Sequence, residues 1–126
     1  MRNACKALII ENGKYLLLKR SVGHPHFLGL WDFPGGRQDE DETLEQTVVR
    51  EAKEETSLDI TVNKMEKEAD FIHEQYAENL HFYIFSVSKY TGNIKLSKDH
   101  TEYLWLTKEE ILRLNLHPAV KIYFEK

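Results

Sequence analysis

The chain has 126 residues, 41% of them hydrophobic and 30% charged, with a formal net charge of −4. That length supports one domain with a real core, and the balance excludes a chain disordered throughout. The mild acidity argues against a general binder of nucleic-acid backbones, no apolar run approaches the ~18 residues of a membrane span, and one cysteine, Cys5, excludes an internal disulfide framework.

The opening residues MRNACKALIIENGKY become charged too soon for a secretory signal, and a lone cysteine suits a reducing compartment. The expectation is a single domain over residues 1–126, located in the cytoplasm. Ala7–Ile10 and Tyr15–Leu18 read as strands. Asn12-Gly13 between them is a strong hairpin signal, because a type I′ turn needs positive φ at both central residues. A loop rich in Gly, His and Pro runs from Ser21 to Gly29. Trp31-Asp32-Phe33 reads as a short strand, stopped by Pro34-Gly35-Gly36. Thr43 to Thr56 reads as a helix with acidic residues crowding its start, where the helix dipole favours them.

Strand alternation resumes at Ile60 and Val62. Leu80 to Tyr90 is the longest strand candidate, and Tyr103 to Leu106 is another. Thr107-Lys108-Glu109-Glu110 is a capping-box pattern that opens a helix running to about Leu114. Pro118 opens a last short helix. Strands, one long helix, more strands and terminal helices together indicate an α+β fold with a mixed sheet.

The helix over Thr43–Thr56 carries its charge in an unusual place. At about 100° per residue, the stripe begun by Leu44 and Val48 continues into Glu51 and Glu55, with Glu54 about 60° to one side of Glu51. Residues three and four apart meet on a helix surface, so these carboxylates repel one another near the negative end of the helix dipole. Clustered, partly buried carboxylates are expensive unless protonated, paired or bound to metal. Oxygen ligands of this kind suit Mg²⁺ or Mn²⁺. A solvated acidic face is the alternative reading of the same residues.

The spacing from Gly36 through Glu42 to Arg50-Glu51-Ala52-Lys53-Glu54-Glu55-Thr56-Ser57-Leu58 resembles the Nudix box, G-x5-E-x7-R-E-U-x-E-E-x-G-U, where U is aliphatic. The last glycine of the pattern is Ser57 here. Gly29-Leu30-Trp31-Asp32-Phe33-Pro34-Gly35-Gly36 looks like the usual entry to that box. The resemblance implies an α/β/α sandwich with a central mixed β-sheet and a loop–helix–loop catalytic motif. It implies hydrolysis of a nucleoside diphosphate linked to another group, with Mg²⁺, or Mn²⁺ as substitute. It makes Glu51, Glu54, Glu55 and the Gly35 carbonyl metal ligands, and lets Glu54 or Glu55 help deprotonate water. It also implies a brace between Arg50 and Glu42. A serine in place of glycine at the helix end either strains the backbone or changes how the helix stops.

The short chain and the WDFPGG stretch look most like mutator-type (MutT-like) nucleoside triphosphate pyrophosphohydrolases, which release the monophosphate and pyrophosphate. The alternatives are a dinucleoside polyphosphate or nucleotide-sugar hydrolase, a non-catalytic nucleotide-binding module, or a domain whose acidic helix is coincidental. Tyr76 resembles a feature of diadenosine-polyphosphate hydrolases.

Neighbouring strand residues point to opposite faces, so only one of Lys19 and Arg20 faces the site, and Arg20 is the candidate phosphate or base contact. Phe33, Phe82 and Trp105 are candidates for base stacking, and Asn115 for reading the base. Asp99, then Glu102, is the candidate late acidic residue for catalysis. His24 and His26 form a candidate pocket lip but no convincing zinc site. The expected partner is a small nucleotide, with no nucleic-acid polymer and no membrane, and the expected assembly is a monomer or homodimer.

Overall fold

The computed structural model describes residues 1–21, 27–72 and 79–125. The readings placed on His24, Pro25, His26 and Tyr76 lie outside the described residues. In chain order the elements are β1 (Arg2–Leu8), β2 (Ile10–Glu11), β3 (Lys14–Arg20), β4 (Trp31–Asp32), β5 (Gly35–Arg37), α1 (Leu44–Thr56), β6 (Asp59–Phe71), β7 (Leu80–Thr91), β8 (His100–Leu106), α2 (Lys108–Ile111) and α3 (Pro118–Phe124).

The strands form two sheets. One runs β5-β1-β7-β6 and is mixed: β1 lies parallel to β7, while β5 and β6 are antiparallel to their neighbours. The other is antiparallel, with β3 paired to β2, β4 and β8. The apolar run Ala7–Ile10, expected as one strand, is divided between them, with fully buried Ile9 at the crossing. The expected turn is present, with φ of 53° at Asn12 and 75° at Gly13, and it sets the pairs Ile10–Tyr15 and Glu11–Lys14.

Alternation along the strands supplies two faces. Cys5, Ala7, Leu16 and Leu18 pack with Val48, Ala52 and Leu58 on the side of α1. Leu8 and Leu17 pack with Ile84, Ile111, Leu116 and Val120 on the side of α2 and α3. Helices therefore cover both faces of the β layer, as an α+β sandwich requires.

Thr43 caps α1: its hydroxyl accepts from Gln46 N, and the Gln46 side chain accepts from Thr43 N. Thr107 caps α2 in the same way through Glu110. The expected helix to Leu114 is shorter, ending at Ile111 and continuing as tight turns closed by Arg113 N to Glu110 O and Leu114 N to Ile111 O. Gly35 and Gly36, expected with Pro34 as a stop, instead begin the strand Gly35–Arg37, paired to Ala4–Lys6.

The largest departure is β6, which extends to Phe71 through a run of charged residues. Among the described residues no strand pairs with its other edge, so charge there is tolerated and serves against edge-to-edge association. No described helix is long and apolar enough to cross a membrane.

Candidate active site

Helix α1 presents its carboxylates as the wheel implies, with one difference. Glu51 and Glu55 border a cavity of about 390 Å³, together with Gly35, Gly36, Arg20 and Asp99. Glu54 turns outward and is 56% exposed, against 17% for Glu51. Among the described residues, no group of three or more acidic, His or Cys side chains is gathered closely enough to enclose an ion. The three glutamates therefore divide into an inward pair and an outer member.

Arg50 bonds both Glu51 and Glu54 across this division. Its guanidinium grips Glu42 with two parallel bonds, Nε to Oε2 at 2.5 Å and Nη2 to Oε1 at 2.9 Å. Nη1 donates to Glu51 at 2.8 Å and to Glu54 at 3.1 Å, and Nη2 reaches the Arg37 carbonyl at 3.1 Å. One planar fork thus ties the loop before α1 to the helix. Glu42 also accepts from Asp39 N and from the Thr47 hydroxyl. The Arg50 bonds, then the Asp39 amide, hold the Glu42 carboxyl down to about 2.

The inward pair is in the opposite condition. Burial pushes Glu55 up to about 8, against the pull of Lys6 and the Gly35 amide. Burial also raises Glu51, although Arg50 opposes it. Gly35 N donates to Glu55 Oε1 at 2.9 Å, so the strand touches the helix through its backbone.

The two glycines permit this contact. A Cβ at Gly35, where φ is 152°, would stand 2.0 Å from the Cys5 carbonyl oxygen, and one at Gly36 would stand 2.5 Å from the Glu51 carboxylate. Only a backbone without side chains fits there.

The helix ends in the left-handed conformation despite the serine. Ser57 has φ 68° and ψ 9°, its amide donates to the Lys53 carbonyl, and its hydroxyl donates to the Lys95 carbonyl at 2.9 Å. The pattern's glycine geometry is kept at the cost of strain in an L residue.

The remaining candidates separate by strand face. Arg20 borders the cavity, whereas Lys19 pairs with Glu102 at 3.5 Å. An irregularity in the pairing of β3 with β8 falls between Lys19 and Arg20. Asp99 borders the cavity and Glu102 does not.

Two substrate contacts named from sequence are corrected. Phe33 is 1% exposed and packs in the core against Tyr15, Tyr123 and Phe124, because it follows Asp32 and takes the opposite face. Asn115 is exposed and contributes its backbone carbonyl to Trp31 N. Of the aromatic candidates, Phe82 borders the cavity, while Trp105 stacks on Tyr90.

Sequence reasoning missed the adjoining wall. Lys6 on β1 lies 2.7 Å from Asp32 on β4, and both are almost wholly buried. Arg20 stands 3.8 Å from the same carboxylate and His117 Nδ1 stands 3.6 Å from its other oxygen. Burial works to raise the Asp32 pKa, but His117, Lys6 and Arg20 outweigh it and the net shift is downward. Burial pushes His117 down to about 4, so its ring is neutral at pH 7. Nδ1 accepts from Ala119 N at 3.1 Å, which puts the neutral ring's proton on Nε2. Isolated charges inside the strands CKALII and WDF were the signal for this wall.

The donor set fits a hard dication. It is oxygen only, partly buried, and contains a carboxyl whose negative form burial disfavours, which is the condition a bound dication reverses. Comparisons with known proteins agree with the geometry. A model of the NUDIX domain matches residues 1–125. The CTP pyrophosphohydrolase of Escherichia coli (strain K12) is 33% identical over 113 residues, spanning 90% of this chain and 81% of that protein. The asymmetrical bis(5'-nucleosyl)-tetraphosphatase of Mus musculus is 30% identical over 105 residues, spanning 80% and 69% respectively. The crystal structure of the MutT protein from Methanosarcina mazei Go1 superposes with a TM-score of 0.85 at 31% identity, covering 98% of this chain and 89% of that one.

Proposed function

The chain belongs to the NUDIX family, and from that membership we propose that it hydrolyses nucleoside triphosphates to the monophosphate and pyrophosphate. The observation that carries this reading is the convergence of Glu51, Glu55 and Gly35 with Arg20 and Asp99 on one cavity. Glu51, Glu55 and the Gly35 carbonyl would hold the ion, with Glu54 as the outer carboxylate on the same helix. Mg²⁺, with Mn²⁺ as substitute, supplies positive charge against the phosphates and acidifies bound water.

The chain's own residues do the rest. Arg50 fixes the orientation of Glu51 and Glu54 through its bonds to both. Arg20 is the cation for phosphate oxygens on the far side. Asp99, in the lining of the same cavity, accepts the proton of the attacking water, with Glu54 or Glu55 as the alternative base. Water adds across one phosphoanhydride: its hydroxide joins phosphorus as the bridging P–O bond breaks, the leaving phosphate departs with that electron pair, and the proton passes from the base to solvent. Positioning and charge stabilisation provide most of such catalysis. The reading takes the protein as a monomer or homodimer. The reading also takes residues 1–126 as one domain acting in the cytoplasm on a free nucleotide rather than a polymer.

The test is a nucleotide screen with Mg²⁺ and Mn²⁺ and direct product analysis. Monophosphate plus pyrophosphate supports the reading. The similarity to the mouse tetraphosphatase favours a second one, hydrolysis of a dinucleoside polyphosphate. That reading predicts two nucleotides and no pyrophosphate, and a nucleotide sugar would instead yield a sugar phosphate.

A further inference from the structure

The wall beside the carboxylates, on the strand paired to Gly35, holds a lysine whose hydrogen bonds are not used up. Lys6 is 3% exposed, yet it borders the cavity. Its one hydrogen-bond partner among the described residues is Asp32 Oδ2 at 2.7 Å. An ammonium has three N–H donors, so two remain without a protein acceptor. Buried donors left unpaired are costly, and a ligand that supplies an acceptor relieves that cost.

The surroundings select the acceptor. Asp32 holds Lys6 at contact distance and fixes the direction of its remaining N–H groups, and the almost complete burial of the pair suits a directed acceptor such as a ring carbonyl. The anionic end of the substrate has Arg20, whose side chain is 30% exposed. Phe27 and Phe82 border the same end of the cavity as His117, with ring centroids 4.6 Å and 5.8 Å from the His117 ring. Aromatic rings beside a donor suit a flat heterocycle.

We propose that Lys6, held by Asp32, is the specificity-determining residue for the base: its spare N–H groups donate to a ring carbonyl. Cytosine, uracil and guanine carry such an oxygen and adenine does not. The inference rests on the pyrophosphohydrolase reading for the kind of ligand. An adenine nucleotide leaves the ammonium unpaired, whereas a carbonyl-bearing base satisfies it. Sites that hydrogen-bond a substrate group discriminate strongly against analogues lacking it.

The experiment is calorimetric binding of CMP, UMP, GMP and AMP, with Mg²⁺ present, to the wild-type chain and to two variants, Lys6→Met and Lys6→Met with Asp32→Asn. The double variant removes the charge that the single one leaves unpaired, and thermal melts confirm that it is folded. The wild type is expected to bind at least one carbonyl-bearing monophosphate about 10- to 100-fold more tightly than AMP. Both variants should bring that ratio to within about 3-fold while AMP affinity stays put. A wild type that binds AMP as tightly as the rest, or binds none of the four, overturns the proposal. So does a double variant that keeps the preference, or one that weakens all four equally, which would mark Lys6 as a phosphate contact. If discrimination behaves as expected but no triphosphate is turned over, the base pocket stands and the pyrophosphohydrolase reading falls.

Discussion

The two walls of the cavity are built by opposite means. The carboxylate wall comes from one stretch of chain, Gly35 to Glu55, and its members meet because a turn and a helix set their spacing. The Lys6–Asp32–His117 wall is gathered from β1, β4 and the start of α3. In the first, burial disfavours the charged form of the carboxyls, with Glu55 raised to about 8. The second is charged and paired. A site that must take up a dication keeps its ligands uncomfortable, whereas one that must hold a shape keeps its charges matched.

Removing a ligand from the first wall should cost the most activity. Glu55→Gln is expected to lower kcat by about 100- to 10,000-fold, the range for losing a positioned acid–base or ligand group. The same variant tests the discomfort of the wild-type site through pH. Without metal, a raised Glu55 makes stability fall as pH climbs from about 4.5 to about 8. The lowered His117 acts in the other direction, losing stability as pH falls from about 6.5 to about 4. Melting temperature in chelator should therefore rise on going from pH 8 to 6.5 and then level off. It should drop below about 4.5 as Glu42 takes up its proton. Glu55→Gln should lose the rise between pH 8 and 6.5; if that rise survives, another group causes it.

The second wall should show its pairing in stability. Asp32→Ala leaves Lys6 buried and uncompensated, which typically costs about 3–5 kcal/mol. Denaturant melts should also show most of that loss recovered when Lys6→Met is added. Full additivity of the two substitutions would mean that the pair does not act as a unit.

Arg50 links the first wall to the loop before it, and lysine cannot reproduce its fork. Arg50→Lys should cost about 1–2 kcal/mol, since these are charge-assisted bonds at a partly exposed site. It should also loosen Mn²⁺ binding by releasing Glu51. The smallest effect concerns the strained helix end. Ser57→Gly should stabilise by about 0.5 kcal/mol, because left-handed strain exceeds the added chain entropy and the lost hydroxyl bond only slightly. A loss of stability there would mean that the Ser57–Lys95 bond outweighs the strain.

What was readable in the sequence follows the same division. Thr43–Thr56, its inward carboxylates and the partnership of Arg50 with Glu42 depend on separations of a few residues, which helix geometry converts directly into contacts. The inward face of Glu51 and Glu55, and the position of Glu54 to one side of it, follow from the wheel. Lys6 and Asp32 are 26 residues apart and meet only because β1 and β4 belong to two sheets facing one cavity. Alternation alone could not place Phe33, since its face depends on which way Asp32 points. Charged β6 was read as little more than Ile60 and Val62, because its residues suit an edge rather than a buried strand.

The most direct measurement is the affinity of the chain for Mn²⁺, followed by its paramagnetic resonance signal, in the wild type and in Glu51→Gln with Glu55→Gln. The inward pair is predicted to bind the ion with an affinity that weakens as pH falls from 8 to 4, and the double variant to bind it at least about 10-fold more weakly. A double variant that retains wild-type affinity, or a wild-type affinity indifferent to pH, would contradict carboxylate ligation at α1 and the hydrolytic mechanism built on it.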